Sequence, residues 1–172
     1  MKRPASLPLA QTVLRLLLTC NGLFGAGILA LLIAMLAAGP WTFTALGVPP
    51  SPETLSLRQG MAWVAVLGGL ATLLNHAVLA RLKAIVDTVQ VGDAFVAANA
   101  RRLRDIAWVL LGLQLLGLAI GAVGEAVSSP AHPLHLDAGI SVSGWLAVVL
   151  SFVLARVFAE GTAMRQDLEG TV

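Results

Sequence analysis

Four polar side chains interrupt the long apolar stretches of the sequence and are the first candidates for chemistry. They are Asn21, Asn75, His76 and Gln114. Polar groups are costly in hydrocarbon, so each predicts either a hydrogen bond between helices or a path for an ion or proton. A proton path usually needs ionisable groups deep in several helices, and among these four only His76 is ionisable. The residues favour cross-helix hydrogen bonds, and a small transporter or channel subunit is the alternative function.

A second candidate for chemistry is the segment HPLHLD, in which His132, His135 and Asp137 offer two imidazoles and a carboxylate to a divalent metal. Pro130 and Pro133 and the lack of any further ligand pattern favour an ordinary polar turn instead. The loops supply no nucleophile with an evident base, no phosphate-binding glycine loop and no carboxylate pair suited to acid and base work. We expect no metal site, no cofactor and no enzymatic activity.

The composition places the chain in a bilayer. Its mean hydropathy is +0.87, and only 12% of its 172 residues are charged, whereas about a quarter are charged in soluble proteins. This length has room for one compact domain. The single cysteine, Cys20, has no partner for an internal disulfide.

Four apolar stretches are long enough to cross a bilayer, which takes about 20 helical residues. They cover about residues 13–38, 60–82, 105–127 and 141–158. Gly39 and Pro40 end the first stretch, because a proline ring cannot continue a helix. The sequence therefore predicts an all-α integral membrane four-helix bundle that forms a single four-span domain over residues 1–172.

Basic residues concentrate in the segments that would share one side of the membrane. All lysines and arginines except Arg58 lie around the first span's start, between the second and third spans, or after Leu154. Since short cytoplasmic loops retain Lys and Arg, we predict that both termini are cytoplasmic, together with the hinge, defined here as residues 83–104. The loops at about 39–59 and 128–140 then lie outside, with Trp41 and Phe43 as interfacial aromatics.

The hinge is predicted to form a cytoplasmic helical hairpin between the second and third spans. Leu82, Ile85, Val86 and Val89 keep helical spacing beyond the second span, and Gly92 follows as a helix end. Past the turn, a second helix leads into the third span. Two interpretations of the hinge arginines stay open: they anchor the bilayer surface, or they form a docking surface for a cytoplasmic partner.

Two lines of small residues predict close helix contacts, because such residues let another backbone approach. The lines consist of Gly22, Ala26, Ala30, Ala34 and Ala38 on the first span and of Gly117 and Gly121 on the third. Contact within the bundle and contact between copies in a homo-oligomer both remain open.

Two motifs in the second half of the chain resemble those of the bacterial four-span membrane proteins of the domain-of-unknown-function 2975 family. The first is GDAFVAANARRLRDIAW, preceded by RLKAIVDTV, and the second is LARVFAEGTAMRQDLEGTV. They are similar to the family patterns GDPF, PENAxRLRxIGW and LxxVFxxGxxLRxExELTV. The resemblance covers about residues 81–172, and the first half shares the span layout.

The chain departs from the family pattern mainly in the hinge. Ala94 and Ala97 stand where prolines are expected, Ala98 where glutamate is expected, and Gly170 where leucine is usual. A rigid turn and an acidic helix start are therefore missing. Asp93 and Asn99 remain as candidate helix caps.

The resemblance implies a bacterial inner-membrane protein, often encoded beside a small helix-turn-helix regulator. By analogy, the chain would hold or release such a cytoplasmic DNA-binding protein without binding nucleic acid itself. We therefore predict a non-enzymatic regulatory or interaction role. The candidate partner-binding residues are Asp93, Phe95, Asn99, Arg101, Arg102 and Arg104 in the hinge and Arg165, Asp167 and Glu169 in the C-terminal tail.

Overall fold

The computed structural model describes residues 6–48, 51, 55–128 and 141–169, which are almost entirely helical. Within these residues five helices follow one another. They are α1 (Ser6–Ala37), α2 (Gly39–Ala45), α3 (Leu55–Gln90), α4 (Ala97–Val127) and α5 (Val142–Glu169). The predicted all-α class is confirmed.

Four of these helices are long and apolar enough to cross a membrane. The candidate spans are Pro8–Ala37 in α1, Leu55–Gln90 in α3, Ala97–Ala126 in α4 and Val142–Asp167 in α5. Large apolar side chains cover their outer surfaces; Leu23 and Leu36, for example, are 75% and 86% exposed. Lipid accommodates such side chains, whereas contact with water is unfavourable. The chain is therefore a multi-span membrane protein with four candidate spans.

The long helices extend past the spans that hydropathy predicts. α3 continues from the end of the span at about 82 to Gln90, as the helical spacing of Leu82 to Val89 predicts, and α5 continues from about 158 to Glu169. α1 likewise begins at Ser6 rather than near residue 13. Once a helix is nucleated, each added residue forms one more hydrogen bond, so polar residues with good helix propensity prolong it beyond the apolar part.

α3 ends in a Schellman motif at Gly92, the residue that the sequence predicts as the helix end. The Gly92 amide donates to the Val89 carbonyl at 3.1 Å, and the Asp93 amide donates to the Thr88 carbonyl at 3.2 Å. Gly92 has a φ of +94°, which glycine adopts without the steric cost that a side chain brings. The six residues of the connecting loop, 91–96, then lead into α4.

The chain turns helical again directly after α1 ends, which the sequence does not predict. Pro40 stops α1 as expected, but it lies in the first turn of α2, where its missing amide hydrogen costs nothing. The Ala34 carbonyl accepts the Ala38 amide at 2.9 Å, and the Thr42 hydroxyl donates a second hydrogen bond to it at 2.8 Å, which ties α2 to the end of α1.

The chain divides into two compact units. Unit 1 takes the described parts of Met1–Asn21, Leu74–Gly112 and Ser141–Val172. Within it, segments of α1, α3, α4 and α5 pack as a four-helix bundle. The Gln11 side chain on α1 bonds to Asp87 on α3 at 2.7 Å, and Trp108 on α4 meets Phe152 on α5 edge to face at 5.3 Å. Ile106 and Ala107 are buried in this unit.

Unit 2 takes Gly22–Leu73 and the described part of Leu113–Ile140. Its core contains Met35, Phe43, Val48 and Leu57. Phe43 is therefore buried, and the prediction that it is an interfacial aromatic is wrong. The reason is α2, which turns the Phe43 ring inward, where the Arg58 guanidinium lies over it at 4.5 Å.

The closest approach of α1 to α3 within unit 2 lies beside the predicted line of small residues and not on it. A Cβ built on Gly25 would come within 3.0 Å of the Thr72 methyl group, whereas one built on Gly22 or Gly117 would meet no atom of the described residues within 4 Å. Contact within the chain is thus not found at these two glycines, and contact between copies stays a prediction.

Candidate partner-binding site

The connecting loop lies against the C-terminal part of α5, so the hinge and the tail form one surface in unit 1. Arg165 on α5 donates from Nη1 to Asp93 Oδ1 at 2.5 Å. Both side chains are about half exposed, with relative exposures of 50% and 45%. Water therefore screens the pair, and its contribution to stability is about 0–1 kcal/mol. Its main effect is to fix where the loop meets the helix.

Phe95 provides the apolar half of the same contact. Its ring stacks on Phe158 of α5 with a centroid distance of 5.2 Å. It also covers Gly161, where an added Cβ would come within 3.0 Å of Phe95 Cδ1. A glycine at this position thus lets the aromatic ring lie directly on the helix backbone. The outer side of the ring remains open, since Phe95 is 46% exposed.

Asn99 is completely buried and holds the start of α4 to α3. Its side-chain amide donates to Thr88 Oγ1 at 2.8 Å and to the Ala94 carbonyl at 3.0 Å. Its carbonyl oxygen accepts a hydrogen bond from Arg102 Nη1 at 2.8 Å. The prediction that Asn99 caps a helix is wrong. Asn99 lies inside α4, and its side chain bonds to Thr88, to the Ala94 carbonyl and to Arg102. Its burial also argues against direct contact with a partner.

The three hinge arginines do different things. Arg102 is half-buried and donates to the Ala84 carbonyl at 3.3 Å as well as to Asn99, so it ties α4 to α3. Arg101 and Arg104 are exposed. Among the described residues, neither has an ion pair or a hydrogen-bond partner for its side chain. Only these two arginines of the hinge are available to bind another molecule.

The remaining charges near the hinge are paired. Lys83 donates to Asp87 Oδ2 at 2.8 Å, and Arg81 lies 3.6 Å from the carboxylate of Asp105. In the tail, Asp167 is exposed on the last turns of α5, and Glu169 is the last residue of that helix.

Two of the four polar residues predicted inside the spans form a hydrogen bond with each other. Asn75 Nδ2 donates to Asn21 Oδ1 at 3.1 Å, which is the kind of cross-helix hydrogen bond that the sequence predicts. His76 is exposed on α3, and Gln114 is half-buried on α4. A role for these residues in transport stays a prediction.

The candidate metal ligands His132, His135 and Asp137 lie outside the described residues. In the part of the chain that the structure does describe, no three His, Cys, Asp or Glu side chains come together as metal ligands would. The groups that meet where the connecting loop contacts α5 are aromatic and charged side chains.

Three contributors to this surface are missing from the sequence prediction. Thr88 bonds the buried Asn99, Phe158 stacks on Phe95, and Gly161 leaves space for that ring. The isolated glycine in the C-terminal half of α5 was the available signal, because glycine within a helix is unfavourable unless a close contact requires it.

Residues 32–172 match the family described as "Protein of unknown function (DUF2975)". The match confirms the resemblance found in the hinge and tail motifs and extends it back to the end of α1. No curated protein and no solved structure matches the chain.

Proposed function

We propose that the chain, which belongs to the DUF2975 family, is a non-enzymatic inner-membrane protein that binds a cytoplasmic partner through its connecting loop and the end of α5. The role is regulatory, and the partner we favour is a small helix-turn-helix DNA-binding protein. That partner rests on analogy with the bacterial family. The binding surface rests on the contacts of unit 1.

The observation that supports this proposal most is the closure of the loop onto α5 by an ion pair and an aromatic contact. Two sequence segments with the strongest family resemblance, 92–108 and 154–172, contribute the two sides of this contact. The contact still leaves apolar side chains open, because Val91 is 86% exposed and Phe95 is 46% exposed. Exposed aromatic and apolar groups beside fixed charges are typical anchors of protein interfaces.

A cleft of about 440 Å³ beside the loop gives the surface a specific chemistry. Val91 and Val96 supply apolar walls. The charged lining residues are Asp87, Asp93 and Arg102, and the two carboxylates are already paired with Lys83 and Arg165. A partner segment that carries an apolar side chain would fit between the valines.

The basic residues determine which side of the membrane the connecting loop faces in this proposal. Arg101, Arg102 and Arg104 all lie at one end of α4, and Arg156 and Arg165 lie in the half of α5 that packs near that end in unit 1. Because Lys and Arg in short loops stay in the cytoplasm, the loop faces the cytoplasm. Both chain termini are then cytoplasmic.

Charge exchange between Asp93 and Arg165 tests the surface. We expect Asp93→Arg and Arg165→Asp each to weaken capture of the partner by the tagged protein from membranes, since each reversal places two like charges together and loosens the loop. The double variant D93R/R165D restores the attraction and should recover at least half of the capture. Arg156→Asp, which likewise places two like charges together at an exposed pair on α5 but does not touch the connecting loop, is the matched control and should have no effect. Equal capture by all four variants would remove the loop from the interface.

A further inference from the structure

A groove of about 700 Å³ runs between α4 and α5 in unit 1, and the contact of the connecting loop with α5 does not use it. None of the loop residues 91–96 lines it, and Phe158, Gly161 and Arg165 do not line it either. Five alanines are among its twelve lining residues, and their small side chains leave space between the helices. Its charged residues are Arg101, Arg104, Arg156 and Glu160.

The charges of the groove do not cancel. Arg156 Nε donates to Glu160 Oε1 at 2.9 Å, so these two neutralise each other. Arg101 and Arg104 have no such partner among the described residues, and both are exposed. The groove therefore carries two uncompensated positive charges on one wall. Guanidinium groups bind phosphate through paired N–H donors, which makes a phosphate ester a suitable ligand.

The groove is also graded from polar to apolar along the helices. On α4, RRLRD at 101–105 gives way to the apolar sequence IAWVLL at 106–111. On α5, Phe152 and Ala155 line the apolar end. Trp108 packs edge to face on Phe152, and tryptophan is enriched at the level of lipid headgroups. Arg104 precedes Trp108 by one helical turn, about 6 Å along the axis, towards the aqueous side.

This combination identifies the occupant. A soluble acidic protein could reach the arginines but not the end of the groove at Phe152, which lies in the apolar part of the spans. A phospholipid has a phosphate at one end and an acyl chain at the other, in the same polar-to-apolar order as the lining of the groove. We propose that the groove between α4 and α5 is a binding site for one anionic phospholipid, whose phosphate contacts Arg101 and Arg104 and whose acyl chain lies along the alanines and Phe152.

The experiment uses the purified full chain in neutral detergent and follows its thermal unfolding by tryptophan fluorescence. Phosphatidylglycerol or phosphatidylcholine with identical acyl chains is titrated into the micelles. We expect phosphatidylglycerol to raise the midpoint at low mole fraction and phosphatidylcholine to leave it unchanged. Because each basic residue near an anionic lipid contributes about a fivefold factor, R104Q should weaken the apparent affinity about fivefold and R101Q/R104Q roughly thirtyfold.

Two further variants separate the groove from general electrostatics. R15Q removes one exposed positive charge outside the groove, so it should keep the wild-type affinity. Ala159→Leu keeps every charge but fills part of the groove, so it should weaken binding of phosphatidylglycerol and remains informative if the double arginine variant does not fold. Equal weakening by R15Q and R104Q, or unchanged binding by A159L together with R104Q, would overturn the proposal.

Two soluble probes test whether the groove binds a free phosphate ester or an acidic protein instead of a lipid. Glycerol 3-phosphate supplies the phosphate without the acyl chains, and it should give no shift at concentrations where phosphatidylglycerol saturates. If it reproduces the full shift, the ligand is a free phosphate ester and the lipid assignment is wrong. A polyglutamate peptide that shifts the midpoint where phosphatidylglycerol does not would instead make the groove a protein site. Neither result would affect the partner surface of the connecting loop, which is tested separately by charge exchange.

Discussion

Asn99→Leu is expected to lower the free energy of unfolding by about 3 kcal/mol, because it removes three hydrogen bonds from a fully buried side chain. Leucine has the same branching and number of side-chain heavy atoms, so the substitution leaves no cavity. The Ala94 carbonyl loses this donor and Arg102 loses one of its two acceptors, and polar groups that lose partners away from water are costly. Thermal and denaturant unfolding in detergent measures the change.

Two further asparagine variants provide a scale for the expected loss in the free energy of unfolding. Asn99→Asp keeps an acceptor for Arg102 but removes both donors, so it should give an intermediate loss. Asn75→Ala removes a single hydrogen bond to Asn21, and cross-helix bonds of this kind average about 0.6 kcal/mol in membranes. If Asn99→Leu costs no more than Asn75→Ala, the buried hydrogen-bond network does not hold the hinge.

Gly161→Val is expected to detach the connecting loop from α5. A Cβ there would lie 3.0 Å from Cδ1 and 3.1 Å from Cε1 of Phe95, which is tighter than most real contacts, so the ring must shift, and the two methyl groups of valine displace it further. The aromatic pair with Phe158 is then lost, and such pairs contribute about 0.5–1.5 kcal/mol beyond their buried area. We expect amide hydrogen exchange in residues 91–96 to quicken about tenfold, which corresponds to about 1.4 kcal/mol.

The matched control for Gly161 is a glycine with open space around it. Gly22 lies inside α1, and a Cβ there meets no described atom within 4 Å. Gly22→Ala should therefore leave exchange in the loop unchanged and should stabilise the chain by about 0.5–1 kcal/mol through helix propensity. Wild-type exchange in Gly161→Val would show that Phe95 does not rest on α5.

Much of the fold follows from the sequence because it depends on local rules. Spans are recognised from length and apolarity, and Gly92 marks the end of α3 because a Schellman motif needs a residue that tolerates positive φ. Local rules fail at α2, where Pro40 both ends one helix and begins the next. They also underestimate the length of α5, since hydropathy detects lipid contact and not helix formation.

The sequence predicts several residues of the binding surface, but it does not predict how they are arranged. Hinge and tail motifs singled out Asp93, Phe95 and Arg165, which the fold brings together. Sequence spacing cannot show that residues more than sixty positions apart meet. It also cannot distinguish an exposed arginine from a buried one, so Arg101 and Arg102 look alike in the sequence although only Arg101 faces outward.

Site-specific photocrosslinking from Val91 in intact cells tests the central claim most directly, because Val91 is the most exposed side chain of the connecting loop. A photoreactive amino acid at Val91 should yield one defined crosslinked protein, which disappears in the Gly161→Val background. The same amino acid at Leu36, which is equally exposed but lies in the α1 span, should not capture that protein. The account is contradicted if no protein crosslinks to Val91. It is also contradicted if the same crosslink forms unchanged in the Gly161→Val background.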